Sequence, residues 1–396
     1  MKSEPKIFEA DTMTAEQRLR AAIQIQVPDR VPVAPLIYYF NANYNGMSYA
    51  DLYDPGKYNR GLFRMFEELG PWDIHYHIHV FDPEMVSLFN PMKMLDAGRE
   101  LPPDVPRQFV EGEFIYPEDY EWLSGLKGVA SALTYEAFMM KLLPRIWDTI
   151  PEGAGGYVKV ILMVVKTLFQ KILEYRKWES RGVAVLCSIG AEAAFDTLSM
   201  NRGILEFARD LKKRPGEIRR TVDAFTESFV LFFKLVCLLS GIKRVIIALH
   251  RTSNDFISPT TFKELAFPAL KDLVERLGES GIETFMHCDG NWSENLEILR
   301  ELPAGRAIMQ CDGATDVFRA KEVLGDRVCI MGDVKADLLV LGSPTEVDEY
   351  CHRLIEEVGK GGGFILGSGC EIPPNAKPEN VKAMLDSVAK YGYYDR

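Results

Sequence analysis

The second half of the chain alternates short apolar runs with longer amphipathic stretches, and this alternation limits the folds that it can adopt. Short apolar runs predict buried strands, and the amphipathic stretches between them predict helices. Strands that alternate with helices along a chain are typical of a parallel sheet covered by helices. The predicted strands of this half lie at 183–187, 244–249, 283–286, 306–309, 328–331 and 364–366.

The first half of the chain adds predicted strands at 31–37 and 72–81. No predicted helix opens on a Gly-x-Gly-x-x-Gly sequence, the signature of a dinucleotide-binding sheet. We therefore predict an α/β fold, a (β/α)8 TIM barrel with an N-terminal extension and a helical insertion. Residues 1–396 are expected to form a single barrel domain, with a lid or insertion at about 85–175.

Charge and composition exclude several classes of function. The net charge is −11, and no run of lysine and arginine is dense enough to indicate a nucleic-acid interface. The N-terminus lacks the apolar segment of a secretory signal, and charges interrupt the apolar stretch after Gly156 too often for it to cross a bilayer. Seven cysteines without a Cys-x-x-Cys pair indicate reduced thiols. We expect a cytoplasmic protein without nucleic-acid or membrane partners, in which apolar helices at 133–175 form a lid or a homodimer surface.

Polar residues follow many of the predicted strands. In a barrel the loops after the strands meet at one rim, so these residues would converge there although they are distant in sequence. This convergence predicts an active or binding site at the rim. The residues are Glu192, 250–255, 287–291, 311–312, 332–333 and 370–371.

Three of these residues, His287, Asp289 and Cys370, predict a metal site. A neutral imidazole with a thiolate is a ligand set that zinc prefers. The alternative is a polar site without metal, and Asp289 is either a third ligand or a hydrogen-bonding residue behind the ligands. Cys288 is predicted to be a small buried residue, and Cys311 either completes the site or belongs to the core.

Several of these segments resemble the uroporphyrinogen decarboxylase superfamily. They include Asp-Arg-Val-Pro-Val at 29–33, Met-His-Cys-Asp-Gly-Asn at 286–291 and Gly-Cys-Glu-Ile-Pro-Pro-Asn at 369–375, with further similar stretches at 255–259, 312–316 and 330–334. The resemblance covers roughly 15–45 and 180–392, whereas about 85–175 resembles nothing that we can place. It implies a (β/α)8 barrel with one of two activities, decarboxylation or cobalamin-linked methyl transfer.

The loop after the first strand favours the second activity. Decarboxylases of the superfamily carry an arginine-rich loop there, which binds the carboxylates of the substrate. The corresponding loop of this chain, 38–46, is rich in tyrosine and asparagine and has no arginine. The resemblance therefore argues against a tetrapyrrole polyacid, and Tyr38, Tyr39 and Asn41 are predicted to contact a smaller, aromatic substrate.

The methyltransferase branch of the superfamily binds zinc through a His-x-Cys pair and a distal cysteine. His287 and Cys370 match this pattern, but Asp289 stands where the branch has cysteine. An oxygen ligand makes a metal a better Lewis acid toward oxygen, which favours a methoxylated aromatic or another O-methyl donor. The resemblance implies zinc and cobalamin as cofactors. Because no Asp-x-His-x-x-Gly motif occurs in this chain, cobalamin would be supplied by a separate corrinoid protein.

The remaining site predictions are less specific. Glu192, His250 and Asp289 are candidates for acid–base catalysis, with structural roles as the alternative for the first two. His75, His77 and His79 alternate on a predicted strand and would share one face. For that trio, packing or contact with substrate or corrinoid is favoured over a metal site, and His77 and His79 are predicted to contact substrate. Asn254 and Asn291 are predicted to bind substrate, with a role in the strand-to-helix turn as the alternative for Asn254.

Two other functions remain open from the sequence. One is a metal-independent decarboxylase that acts on a smaller acid and needs no corrinoid partner. The other is a non-catalytic barrel that binds a ligand or a partner protein. The decarboxylase predicts release of carbon dioxide without a corrinoid partner. The non-catalytic barrel predicts that Cys370→Ala and His287→Ala leave all measurable binding unchanged.

Overall fold

The computed structural model describes residues 6–76, 92–125, 145 and 153–394 of the chain. Its strands, in chain order from β1 to β11, are Val33–Ala34, Ile74–His75, Met94–Leu95, Gln108–Phe109, Ala184–Val185, Ile189–Glu192, Arg244–Leu249, Glu283–Cys288, Ala307–Cys311, Cys329–Val334 and Phe364–Ser368. Its α-helices are Ala15–Ile23, Tyr39–Asn45, Pro55–Glu68, Asp119–Gly125, Gly153–Glu179, Ala194–Arg202, Ile204–Lys213, Pro215–Ser240, Pro259–Thr261, Phe267–Glu279, Leu296–Leu299, Val317–Leu324, Ala336–Leu341, Pro344–Arg353 and Pro378–Tyr391. Among these described residues, none of the helices combines the length and the apolar character needed to cross a membrane.

Parallel pairing joins seven of these strands in the order β1-β11-β10-β9-β8-β7-β6, and β2 pairs in parallel with β5. Backbone hydrogen bonds close the ring between the two sheets. The Asp73 amide donates to the Val33 carbonyl (3.0 Å), and the Ala184 amide donates to the Asp73 carbonyl (2.8 Å). β5 and β6 are separated by a few residues, and the Ser188 amide between them donates to the Arg244 carbonyl (2.9 Å). The predicted α/β barrel is therefore confirmed, and β5 and β6 are two segments of one barrel strand.

The direction of each side chain follows the two-residue period of the strands. Ile74 and Tyr76 belong to the apolar cluster that fills the barrel, whereas His75 between them faces outward. Its ring stacks on Trp178 of the covering helix at 4.5 Å between centroids, and its Nε2 lies 3.4 Å from Glu174 Oε1. His75, the first of the three histidines predicted to share one face of a strand, therefore points toward a helix. His77 and His79 lie outside the described residues.

A buried cluster of five charged residues connects the first two barrel strands at the end where these strands begin. Arg18 contacts Asp29 and Asp73 at 2.7 Å each, and Arg30 contacts Asp11 at 2.8 Å and Asp73 at 2.7 Å. Burial opposes the ionisation of Asp29, but hydrogen bonds from Arg18 and from backbone amides outweigh it and lower its pKa to about 2. The Asp-Arg pair at 29–30, part of a motif found in the sequence, therefore has a structural role at the amino-terminal side of the strands.

One local prediction was wrong. The aromatic loop at 38–46 contains the helix Tyr39–Asn45, whose Phe40 and Ala42 are buried in the core. Its asparagine side chains bond to one another and to the carbonyl of Tyr58. The described part of the 85–175 region contains an antiparallel hairpin, β3 with β4, and the helix Gly153–Glu179 that precedes β5.

Candidate metal and active site

The carboxyl ends of four barrel strands bring the candidate residues together. Glu192 ends β6, His250 follows β7, His287 is the next-to-last residue of β8, and Cys370 follows β11. Asp289 comes directly after β8. Since parallel strands end at the same rim, the convergence predicted from the sequence is present in the structure.

His287, Asp289 and Cys370 form a compact group of nitrogen, oxygen and sulfur atoms. Nε2 of His287 lies 3.2 Å from Asp289 Oδ1 and 3.7 Å from Cys370 Sγ. One ligand atom from each residue lies within 4.8 Å of the others. This donor set is suited to a borderline-soft divalent metal such as zinc.

Gln310 determines how His287 presents its ring, a role that no sequence pattern indicates. Its Nε2 donates to the Ser368 carbonyl (3.0 Å), so its Oε1 faces His287 Nδ1 at 2.6 Å. The same Oε1 accepts a hydrogen bond from the Tyr76 hydroxyl at 2.5 Å. Because an amide oxygen only accepts, Nδ1 carries a proton, and Nε2, which faces Asp289 and Cys370, is the nitrogen left to bind a metal. This is the tautomer that a metal ligand requires.

The side chains of His287, Asp289 and Cys370 together favour a positive charge at the centre of their group. Burial lowers the pKa of His287, but Asp289 and Cys370 outweigh that effect and raise it to about 10. Burial raises the pKa of Asp289, but His250 and His287 outweigh it and hold that pKa well below its ordinary value. A cation held between the three residues satisfies the same attraction that otherwise retains a proton. The residues therefore fit a bound zinc ion.

His250 lies between two carboxylates and orients one of them. Its Nδ1 is 2.5 Å from Asp289 Oδ2, and its Nε2 is 3.2 Å from Glu192 Oε2. Burial lowers the pKa of His250, but Glu192 and Asp289 raise it to about 11. Asp289 thus has one oxygen toward His250 and the other toward His287, which holds its carboxylate in place. The predicted acid–base residues Glu192, His250 and Asp289 form one connected chain.

The first loop of the barrel adds aromatic and acidic groups next to Cys370. The rings of Tyr38 and Tyr39 lie 4.2 Å apart, and the Tyr39 amide donates to Glu371 Oε1 at 2.6 Å. Burial raises the pKa of Glu371 to about 7. The Arg107 amide donates to the Tyr39 hydroxyl at 2.9 Å. The first loop itself contains no arginine. Arg107, from the segment between β3 and β4, reaches this loop through its backbone amide.

The hairpin also reaches the opposite part of the rim. The guanidinium of Arg107 pairs with Asp96 beside the first loop. A few residues after β4, Glu111 forms a bidentate ion pair with Arg251, which follows His250, at 2.5 and 3.2 Å. The segment from Asp96 to Glu111 therefore connects the loop after β1 to the loop after β7, beside the candidate site.

The remaining predicted residues have other surroundings. Asn41 is fully buried and donates to a backbone carbonyl of the next helix. Asn254 and Asn291 accept hydrogen bonds from backbone amides in their own and the adjacent loop, which shapes the turns after β7 and β8. Cys288 and Cys311 are buried in the core between barrel and helices. None of these five side chains contributes an atom to the described group of His287, Asp289 and Cys370.

Replacement of Gln310 by leucine is expected to weaken zinc binding by about 10–100-fold, because residues that orient a metal-bound histidine typically contribute that much to affinity. The measurement is zinc affinity by competition with a chelator. Tyr76→Phe is the matched control, since it removes the hydroxyl but leaves the bond between Gln310 and His287. Equal zinc affinity in Gln310→Leu and in the unsubstituted protein would contradict this role of Gln310.

The chain is similar to proteins of one family and, over most of its length, to a solved structure. Residues 170–391, more than half of the chain, match the family described as uroporphyrinogen decarboxylase (URO-D). The uroporphyrinogen decarboxylase of Syntrophotalea carbinolica is 22% identical over 188 residues, which cover 48% of this chain and 53% of that protein. The enzyme of the same name from Pseudoalteromonas atlantica is also 22% identical over 188 residues, covering 45% and 49%. The chain thus spans about half the length of these curated relatives.

A solved structure, a methyltransferase from Methanosarcina mazei, superposes on 96% of this chain and 99% of its own, with a TM-score of 0.69 at 18% identity. At that level of identity the similarity establishes a common fold. It extends over both halves of the chain, including the part before residue 170 that the family match does not reach.

Proposed function

This chain belongs to the uroporphyrinogen decarboxylase (URO-D) family, and on that premise we propose that it is a zinc-dependent methyltransferase. It would move a methyl group between a small substrate and the cobalamin of a separate corrinoid protein. The observation that carries the proposal is the convergence of His287 Nε2, Asp289 Oδ1 and Cys370 Sγ at the barrel rim. The methyltransferase with the same fold supports the transferase class.

His287, Asp289 and Cys370 would hold the zinc ion. Bound zinc supplies a Lewis acid that draws electron density from the heteroatom carrying the methyl group. Gln310 keeps the Nε2 lone pair of His287 available, and His250 keeps one oxygen of Asp289 turned toward it. The protein's own contribution is thus a rigid ligand geometry at the rim.

Proton supply is the second task that we assign to these residues. When the bond between methyl carbon and oxygen breaks, the oxygen keeps the electron pair and requires a proton. His250, between Glu192 and Asp289, has its ring centre 6.1 Å from that of His287. We assign the proton to His250, with Glu192 as the group that resupplies it.

The substrate class follows from the ligands and the first loop. Asp289 provides an oxygen ligand to the metal. A second thiolate in its place would make the metal softer, so the oxygen ligand favours a substrate whose methyl group is bound to oxygen. Tyr38 and Tyr39 form an aromatic pair next to Glu371, suited to an aromatic ring. Glu192, Asp289 and Glu371 place several carboxyl groups at this rim, which disfavours a polycarboxylate. We therefore propose a methoxylated aromatic compound as the methyl donor.

The test uses the purified 396-residue protein. Metal analysis is expected to find zinc in stoichiometric amount, and methoxylated aromatics are expected to convert cob(I)alamin to methylcobalamin, followed by absorbance. The proposal fails if the protein contains no zinc and if no methoxylated aromatic or methylamine donor methylates cob(I)alamin.

A decarboxylase remains the second candidate because Arg107 lies beside the first loop. The guanidinium of Arg107 lies 5.3 Å from the centre of the Tyr53 ring and pairs with Asp96, so it would bind a substrate carboxylate in exchange for that pair. This alternative predicts release of carbon dioxide from a small acid by metal-free protein without cobalamin. The same preparation, treated with a chelator, distinguishes the two reactions.

A further inference from the structure

Asp196 lies behind the candidate site as a fully buried carboxyl group. It belongs to the first turn of the helix Ala194–Arg202, which begins just after Glu192. Burial raises the pKa of Asp196 to about 7, and neighbouring groups offset this effect only in part. Among the described residues, no lysine or arginine side chain forms an ion pair with it. A buried carboxyl group without a cation costs stability unless it is hydrogen-bonded, so its hydrogen-bond partners indicate its role.

The partners of Asp196 belong to a single loop, the one that begins at His250. In the part of the chain that the structure describes, every donor to this carboxyl group lies in 250–252. Oδ1 accepts the Arg251 amide at 2.5 Å, and Oδ2 accepts the Thr252 hydroxyl at 3.5 Å. The His250 amide is a further donor. Asp196 therefore holds the backbone that carries the His250 imidazole, not the imidazole itself.

This contact joins the loop after β7 to the residue that faces His250, Glu192. β6 and β7 pair in register up to Glu192 opposite Ala248, where the ladder between them ends. The next link between the two loops is Asp196, on the helix that begins two residues after Glu192. Since His250 Nε2 lies 3.2 Å from Glu192 Oε2, the reach of the Asp196 side chain sets the distance between these two groups.

Arg251 attaches the same loop to the same helix a second time. Its guanidinium lies 3.4 Å from the carbonyl of Ser199, about one turn after Asp196. On its other side the guanidinium pairs with Glu111 of the hairpin segment. The backbone next to His250 is thus held from the helix by Asp196 and from the hairpin by Glu111.

We propose that Asp196 is a positioning residue for His250, and that it holds the His250 ring between Glu192 and Asp289 through the backbone at 250–251. This inference rests on the proposed function, in which His250 provides the proton to the substrate oxygen. His250 Nδ1 and Asp289 Oδ2 are 2.5 Å apart, a short charge-assisted hydrogen bond that a displaced ring cannot form. Asp196 contributes the position of its oxygens and not its charge.

The experiment uses two substitutions that separate reach from charge. Asp196→Asn removes the charge but keeps an oxygen for the Arg251 amide, whereas Asp196→Glu keeps the charge but adds a methylene group. Proton NMR of the purified 396-residue protein detects the His250–Asp289 hydrogen bond as a downfield resonance, which His250→Gln assigns by its loss. The resonance is expected to remain in Asp196→Asn and to be lost or displaced in Asp196→Glu. Asp196→Ala removes the acceptor without adding volume and is expected to behave as Asp196→Glu.

Steady-state kinetics with a methoxylated aromatic and cob(I)alamin provide a second readout. Asp196→Glu and Asp196→Ala are expected to lower kcat by about a hundredfold, the usual cost of misplacing a catalytic group by about 1 Å. Because Asp196 is fully buried and does not touch substrate, KM is expected to change by no more than about twofold. Asp196→Asn is expected to retain kcat within about threefold.

Asp210→Glu is the matched control, since it adds the same methylene group to another buried carboxylate. Asp210 is 4% exposed and contacts Arg202 at 2.7 Å and the Tyr120 hydroxyl at 3.2 Å, so its substitution should leave the resonance and kcat unchanged. The proposal is overturned if the unsubstituted protein lacks the resonance or if Asp196→Glu and Asp196→Ala keep it in place. Loss of the resonance in Asp196→Asn or in Asp210→Glu would overturn it as well.

The NMR measurement requires no turnover, so its outcome is separate from that of the proposed methyl transfer. A protein that shows the expected resonances but methylates no cob(I)alamin would defeat the proposed function and retain the positioning of His250 by Asp196. Methylation of cob(I)alamin at an equal rate by Asp196→Ala and the unsubstituted protein would retain the function and defeat the positioning.

Discussion

Replacement of His287 by alanine is expected to abolish zinc binding and to lower kcat/KM for methyl transfer by at least about a thousandfold. His287 supplies the nitrogen of the group, and Gln310 holds its ring in orientation. A metal that polarises the reacting heteroatom contributes several kcal/mol to transition-state stabilisation, and each tenfold in rate corresponds to about 1.4 kcal/mol. The measurements are metal content and the rate of cob(I)alamin methylation.

Two further variants make this prediction specific. Cys370→Ala is expected to have the same effect as His287→Ala, since it removes the sulfur ligand of the same group. Cys288→Ala is the control: its thiol is buried in the core next to His287 and Asp289 but is not part of the ligand group. If His287→Ala retains its zinc and its rate, or if Cys288→Ala alone loses both, then the metal site is misassigned.

Replacement of Arg30 by methionine is expected to lower the free energy of unfolding by about 3–5 kcal/mol, the usual cost of removing one partner from a buried ion pair. Arg30 is fully buried and contacts both Asp11 and Asp73, so the substitution leaves two carboxylates without this partner in the interior. Arg18 continues to contact both and cannot neutralise the pair alone. Urea denaturation followed by circular dichroism measures the change.

Arg20→Met provides the comparison on the same part of the chain. Arg20 forms an ion pair with Glu16 one helical turn away, and its side chain is 55% exposed. Exposed pairs of this spacing contribute about 0.3–0.5 kcal/mol, so the unfolding midpoint should change little. Similar midpoints for Arg30→Met and Arg20→Met would show that the buried cluster does not stabilise the first two strands.

The barrel could be predicted because its signal is local. Each strand from β7 to β11 is a short apolar run flanked by polar turns, and the periods of strand and helix are visible within one window of sequence. An error occurred where the local signal was weak. The helix Tyr39–Asn45 is too short for an apolar period to be visible in the sequence, although its Phe40 and Ala42 are buried in the core.

The candidate site was predicted in part for the same reason. His287 and Cys370 follow apolar strands, and all strand ends of a parallel barrel meet at one rim, so their proximity follows from topology alone. The roles of Gln310 and Arg107 do not follow from topology. Gln310 lies inside β9, and its role depends on the direction of its side chain. Arg107 reaches the first loop from a hairpin that no sequence pattern predicted.

The amino-acid sequence by itself therefore determined the strand and helix order, the rim at which the polar residues gather and the identity of His287 and Cys370 as its central pair. The tertiary structure decided which atoms face each other: Nε2 of His287 toward Asp289, and the outward direction of His75. The physical reason is that apolar periodicity is repeated over many residues and survives local variation. Hydrogen-bond direction depends instead on strand register and on single side chains from distant segments, which no local pattern records.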